Sequence, residues 1–134
     1  MIKKYSALKS QPSERAVAFF LPLETRPKEF APLSNIKNFW HTGIIFEGRV
    51  YECFNSGKHR ISEESERMPE FTKQKAKFVK TLIDSDKLKS ELTSGTSCDE
   101  FVLRATGHSN LTGDNKGTRY PEDVKKILES DFVK

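Results

Sequence analysis

The feature that most narrows the fold is a pair of β-rich runs in the first half of the chain. They are Phe39-Trp-His-Thr-Gly-Ile-Ile-Phe46 and Arg49-Val-Tyr-Glu-Cys-Phe54, separated only by Glu47-Gly48. So short a glycine-containing link leaves the second run little choice but to fold back on the first as an antiparallel hairpin. A lone hairpin is marginal in water, so the rest of the chain must cover it. Arg15 to Leu21 is a short apolar run stopped by Pro22 and reads as a buried strand. Lys75 to Ile83 carries two apolar pairs that suit a strand, although periodicity alone does not separate it from a helix. Pro27 and Pro32 mark a loop, Lys58 to Ile61 suits a short extra strand, and Glu63 to Glu70 reads as an acidic turn-rich segment.

Helix signals gather in the second half. Asp84 to Leu92 has a capping acid and two leucines four residues apart, Leu88 and Leu92. Ser97 followed three residues later by Glu100 forms a capping box. Gly107 supplies the left-handed stop, and Phe101, Val102 and Ala105 share the face that would dock on the sheet. After a Gly/Asn/Asp-rich loop over residues 108–118, Tyr120-Pro121 opens a last helix reaching about Glu129, with Val124, Ile127 and Leu128 as its stripe. Strands early and helices late predict an α+β fold. The 134 residues suit one domain, 16–134, behind a polar lead-in of residues 1–15 expected to be flexible.

Composition serves mainly to exclude. The net charge is +4, but the 23 basic residues are interleaved with 19 acidic ones and form no basic-aromatic stripe, so no nucleic-acid partner is expected. Ala16 to Leu21, the longest apolar run, is too short to span a membrane. Met1-Ile-Lys-Lys-Tyr-Ser has no apolar run behind it, and no signal peptide is expected. Two cysteines make a poor disulfide framework, which points to a reducing, cytoplasmic compartment. Nor do two cysteines and three dispersed histidines offer the ligand set of a zinc site, so neither metal nor cofactor is expected.

Two residues have chemical potential. Cys98 falls in the first helical turn, where free N–H groups and the helix dipole can lower a thiol pKa to roughly 3.5–7.5. His41 lies inside a predicted strand between Trp40 and Thr42-Gly43, held rigidly with small neighbours beside it. Taken singly, each has a plainer reading: Cys98 as a small buried hydrophobe, His41 as a satisfied core histidine. His59 and His108 read as solvated loop residues, and Cys53 as a packing residue of the hairpin.

The segment Phe39-Trp-His-Thr-Gly-Ile-Ile-Phe46, its Glu-Gly turn and Arg49-Val-Tyr-Glu-Cys-Phe-Asn-Ser-Gly57 resemble the histidine hairpin of the PPPDE family. That family comprises permuted papain-like peptidases, including eukaryotic deSUMOylating isopeptidases. Its histidine precedes its cysteine, which opens a helix in an Asn-Cys-x-x-Phe pattern. The corresponding stretch here is Ser97-Cys-Asp-Glu-Phe101, and Gly107 with Tyr120 to Leu128 looks like the family's continuation. The resemblance extends from residue 16 to residue 128, with two departures: Ser97 replaces the usual Asn, and the link from the Lys75–Ile83 run to Cys98 is shortened.

The resemblance implies a small permuted papain-like fold, in which an antiparallel hairpin carrying His41 packs against a helix whose N-terminus carries Cys98. It further implies a thiol hydrolase with Cys98 as nucleophile and His41 as general base, then general acid. The Cys98 backbone N–H becomes a candidate oxyanion donor. Glu52, Asn55 and Ser56 are candidates to orient His41. The implied partner is a protein or peptide substrate such as a ubiquitin-like conjugate. The wider permuted NlpC-type group, including lecithin-retinol-acyltransferase-like enzymes, shares the His-first order. An isopeptidase, a thiol acyl hydrolase, a cell-wall peptidase and a catalytically silent binding module on the same fold all stay open.

Overall fold

A computed structural model describes residues 12–22, 39–54, 57–94, 96–111 and 121–131. Five strands form one sheet: β1 (Glu14–Pro22), β2 (Phe39–Phe46), β3 (Arg49–Cys53), β4 (His59–Glu63) and β5 (Lys77–Ile83). Their order is β4-β3-β2-β1-β5, with every pairing antiparallel. The hairpin predicted from the paired runs is present, with Phe46 opposite Arg49. Glu47 and Gly48 both take left-handed conformations, φ 48° and 78°. That pattern is a type I′ turn, whose twist matches that of its strands. Lys77 to Ile83 is a strand because it pairs along β1 from Phe20 back to Glu14.

Four helices accompany the sheet among the described residues: α1 (Glu64–Lys73), α2 (Ser85–Leu92), α3 (Cys98–Ala105) and α4 (Pro121–Ser130). The Asp84 carboxylate caps α2 by accepting from the N–H groups of Asp86 and Lys87. Ser97 caps α3 by accepting from Glu100 N–H. The capping box is one-sided, since the Glu100 carboxylate pairs forward with Arg104 at 3.4 Å. Gly107 takes φ +87° after the last turn, as expected of a helix stop.

Several expectations need correction. Glu63 to Glu70 is not turn-rich but leads into α1. Its start carries no side-chain cap and Pro69 lies inside it, both of which argue locally against a helix. Glu64 and Glu66 suit the positive end of the dipole, and tertiary anchoring does the rest through fully buried Phe71 and through Arg67. His59 lies in β4 rather than a loop, though it is exposed. Ser109 to Leu111 form a 3₁₀ turn within the predicted loop. Strand β1 begins at Glu14, inside the predicted lead-in, of which residues 1–11 lie outside the described residues.

Strand alternation gives the sheet two apolar faces. One carries Ala16, Ala18, Phe20, Ile44, Phe46, Tyr51, Cys53 and Ile83 against Leu88, Leu92, Phe101, Val102, Leu103, Val124 and Leu128 of α2, α3 and α4. The other carries Phe19, Leu21, Ile45 and Val50 with Trp40 against Phe71 of α1. Near residue 41 the sheet is irregular twice over. Leu21 pairs with His41 but Pro22 pairs with Phe39, so Trp40 is the extra residue of a bulge. Pairing between β2 and β3 runs only from Phe46–Arg49 to Ile44–Tyr51, while β3 continues along β4 as far as Cys53. Beyond Ile44 the two strands therefore separate.

Gly43 sits where they part. A Cβ there would lie 2.6 Å from the Phe19 ring and 2.8 Å from the Tyr51 carbonyl oxygen, and the latter is main chain that cannot swing aside. Gly43→Ala is expected to lower stability by about 1–3 kcal/mol through overpacking, measured as a shift of the denaturant midpoint at unchanged m-value. A wild-type midpoint would show that the strands have slack here.

Candidate active site

The His41 ring is almost fully buried on the face of the sheet that α1 covers, beside Phe19 and Trp40. It stacks on Phe54 at 4.9 Å with 5° between the planes, and on Trp40 at 5.2 Å. Phe19 meets it edge-on at 5.8 Å. The Trp40 bulge and the parting of the strands make room for this aromatic sandwich, which holds the imidazole plane. The direction in the plane is set by Glu52, whose Oε1 lies 2.9 Å from Nε2.

Glu52 has no solvent exposure. Its carboxylate also accepts from Arg67 at both oxygens, Nε to Oε2 at 3.1 Å and Nη2 to Oε1 at 2.9 Å. Arg60 adds Nε and Nη2 contacts to Oε2 at 3.3 and 3.1 Å. Burial by itself would raise the Glu52 pKa. The hydrogen bond and charge of His41, with the charges of Arg67 and Arg60, overcome that penalty and bring it down to about 2. An ionised carboxylate can only accept, so the proton on Nε2 belongs to His41, and in the neutral ring Nδ1 is left as the acceptor.

Cys98 opens α3, which packs on the opposite face of the sheet, and is 5% exposed. The main-chain N–H groups of Thr42 and Asp99 act on its thiol in the direction that favours the anion, and Cys53 is near enough to interact electrostatically. Among the hydrogen bonds of the described residues, none joins the His41 ring to the sulfur; the ring's bond is to Glu52. The expected low thiol pKa is not found. Burial, then the Asp99 carboxyl, push it up to about 12, against the lowering by the two backbone N–H groups. Desolvation costs the anion more than one helix start returns. The Asp99 pKa is itself raised by burial, with the Ser97 hydroxyl 2.6 Å from Oδ1 working the other way.

Asn55 and Ser56 lie outside the described residues. His59 is exposed, and His108 pairs at the surface with Asp131 at 2.9 Å. Cys53 is buried beneath α2, its thiol donating to the Leu92 carbonyl at 3.4 Å and its pKa raised to about 11, chiefly by burial. The described residues contain no cluster of three or more His, Cys, Asp or Glu able to hold a metal, and no helix long and apolar enough to cross a membrane. A groove of about 870 Å³ bordered by Val17, Ile45, Met68, Phe78 and Leu82 lies over β1 and β5, with neither His41 nor Cys98 in its wall. Sequence reasoning singled out Glu52 but missed Arg60 and Arg67. The available signal was Glu52 itself: a carboxylate on an inward strand position calls for cations nearby.

Comparison with known proteins adds no identity: no family model matches the chain, and neither a curated protein nor a solved structure matches it.

The Glu52 cluster has a consequence for acid stability. Its folded pKa lies below the ordinary value of 4.5, so the stabilisation is full above pH 4.5 and is lost as pH falls toward 2. Glu52→Gln should lose roughly 3–5 kcal/mol at pH 7, the cost of stranding a buried charge partner. Urea titrations at stepped pH should show the gap to wild type closing between pH 4.5 and 2. A gap constant across that window would mean that Glu52 is not ionised in the fold.

Proposed function

We propose that the chain is a cysteine hydrolase of permuted papain-like design that cleaves an amide, isopeptide or related acyl bond through Cys98 and His41. The observation that carries this reading is that Glu52 occupies Nε2 of a buried histidine and leaves Nδ1 as its free acceptor. Nδ1 is the ring nitrogen nearer the main chain, and the Thr42 N–H of that main chain acts on the Cys98 thiol. The resemblance to the PPPDE hairpin, with histidine before cysteine, supports the same assignment. Ubiquitin-like conjugates are the substrate class it favours. Acyl or cell-wall peptide substrates of the wider NlpC-type group follow from the same dyad.

In the proposed cycle Cys98 gives its proton to His41 Nδ1 as the sulfur attacks the carbonyl carbon. The Cys98 backbone N–H, at a first helical position where no intrahelical partner exists, donates to the developing oxyanion. Collapse expels the amine, which takes the proton from Nδ1, and leaves a thioester on Cys98. Water, deprotonated by His41, then hydrolyses the thioester and restores the thiol. Because the resting thiol pKa is about 12, the thiolate arises by proton transfer during attack and not in advance. Iodoacetamide should accordingly modify native Cys98 slowly at pH 7, whereas an acyl-electrophile probe carrying a ubiquitin-like or peptide recognition element should label it rapidly. Peptide mapping of both reactions checks this. Fast iodoacetamide labelling would show a preformed thiolate.

A burial of Cys98 this complete also favours a second reading, a binding module on the same fold with no turnover. A panel of fluorogenic ubiquitin-like, peptidoglycan-peptide and thioester substrates separates the two. On any substrate the wild type cleaves, Cys98→Ala should abolish turnover without unfolding the protein. His41→Ala should cost ~10²–10⁴-fold, with the double variant little worse than either single. His59→Ala and His108→Ala should be nearly silent. Turnover retained in Cys98→Ala would overturn the assignment.

A further inference from the structure

Beyond the dyad, the structure holds a feature that a mere third catalytic carboxylate does not require. Glu52 is gripped from two further elements, by Arg60 on β4 and by Arg67 on α1. Arg67 is the tighter clasp: its side chain is 14% exposed against 50% for Arg60, and its guanidinium bonds both carboxylate oxygens. The Arg67 guanidinium also lies over the Phe71 ring at 4.7 Å, and the Arg60 guanidinium over Phe54, the ring stacked on His41, at 5.5 Å. His41, Arg60 and Arg67 are the charged or titratable groups that face Glu52, one each from β2, β4 and α1.

We propose that Arg67, seconded by Arg60, is a positioning residue that sets the tautomer of His41 through Glu52, so that α1 acts as the clamp of the catalytic base. The inference rests on the reading of His41 as base but makes a claim of its own about the ring. A fully buried carboxylate without its bidentate cation loses two charge-assisted hydrogen bonds and gains nothing from water. Held by Arg60 at Oε2 alone, it no longer keeps Oε1 against the Nε2 proton. The ring is then free to exchange tautomers, and part of the population carries its proton on Nδ1. A ring protonated at Nδ1 has no lone pair for the Cys98 thiol. Arg67 thus acts two bonds removed from the reacting atoms, and its loss should act on turnover more than on substrate binding. Lysine at this position keeps the charge but offers a point donor in place of a fork, so its effect should be intermediate.

The test is long-range ¹H–¹⁵N correlation of ¹⁵N-histidine-labelled full-length protein at pH 8, with the His41 signals assigned by their loss in His41→Asn. Wild type should show Nε2–H with a free Nδ1. Arg67→Gln should show a population with the proton on Nδ1, Arg67→Lys a smaller one, and Arg60→Gln the least. On a cleaved substrate kcat should fall at least about tenfold in Arg67→Gln with KM little changed, the scale on which losing an outer partner costs an oriented histidine. A folded Arg67→Gln protein whose His41 remains wholly Nε2–H would overturn the proposal. If Arg67→Gln does not fold, Arg67→Lys and Arg60→Gln decide it: a wild-type ring pattern in both would overturn it equally. Should wild type cleave nothing while the tautomer moves as stated, the positioning role stands and the hydrolase reading falls.

Discussion

A carboxylate sealed from water survives as an anion only where donors replace its hydration shell, and much of this protein's geometry follows from meeting that need at Glu52. The donors come from β2, β4 and α1, so the cluster joins elements distant in sequence around one group. The assembled ion cluster does more than offset the cost of its own burial. An ionised Glu52 is an obligate acceptor, and that single property dictates which nitrogen of His41 carries a proton. Local electrostatics thereby become a chemical instruction: the nitrogen nearer the main chain is the one left to accept.

Room for the imidazole comes from an interrupted sheet. Regular pairing of β2 with β3 stops at Ile44–Tyr51, and the Trp40 bulge interrupts the pairing of β2 with β1. Between these two irregularities the ring is held by Trp40, Phe54 and Phe19. Gly43 permits the close approach of Phe19 and of the Tyr51 carbonyl that shapes the same opening. Helix α3, which carries Cys98 at its start, packs on the opposite face, seated by Phe101, Val102 and Leu103 in the core.

Much of the fold was legible because its signals are local. The Glu47-Gly48 turn, the apolar run before Pro22, the Ser97 cap and the Gly107 stop each depend on a few neighbouring residues, and each formed the element it announces. Helix α1 was not legible, because an uncapped start and an internal proline are adverse locally. It stands through contacts made by Phe71 and Arg67 across the fold. The thiol of Cys98 was misjudged for a related reason. A helix start is visible in a sequence, whereas the desolvation that outweighs it depends on what packs over the sulfur.

The sequence by itself determined the residue types, their order and the local punctuation: a histidine hairpin, a cysteine at a capped helix start, and an acid one residue before the end of β3. Those are properties of short-range spacing, and short-range spacing is what a sequence displays. Only the tertiary structure decided that Glu52 meets His41, for the two stand on different strands. It also decided that Arg60 and Arg67 converge on that carboxylate, and that the resting sulfur is a protonated thiol. Burial and Coulomb interactions are sums over everything nearby in space, and no stretch of chain contains its own neighbours.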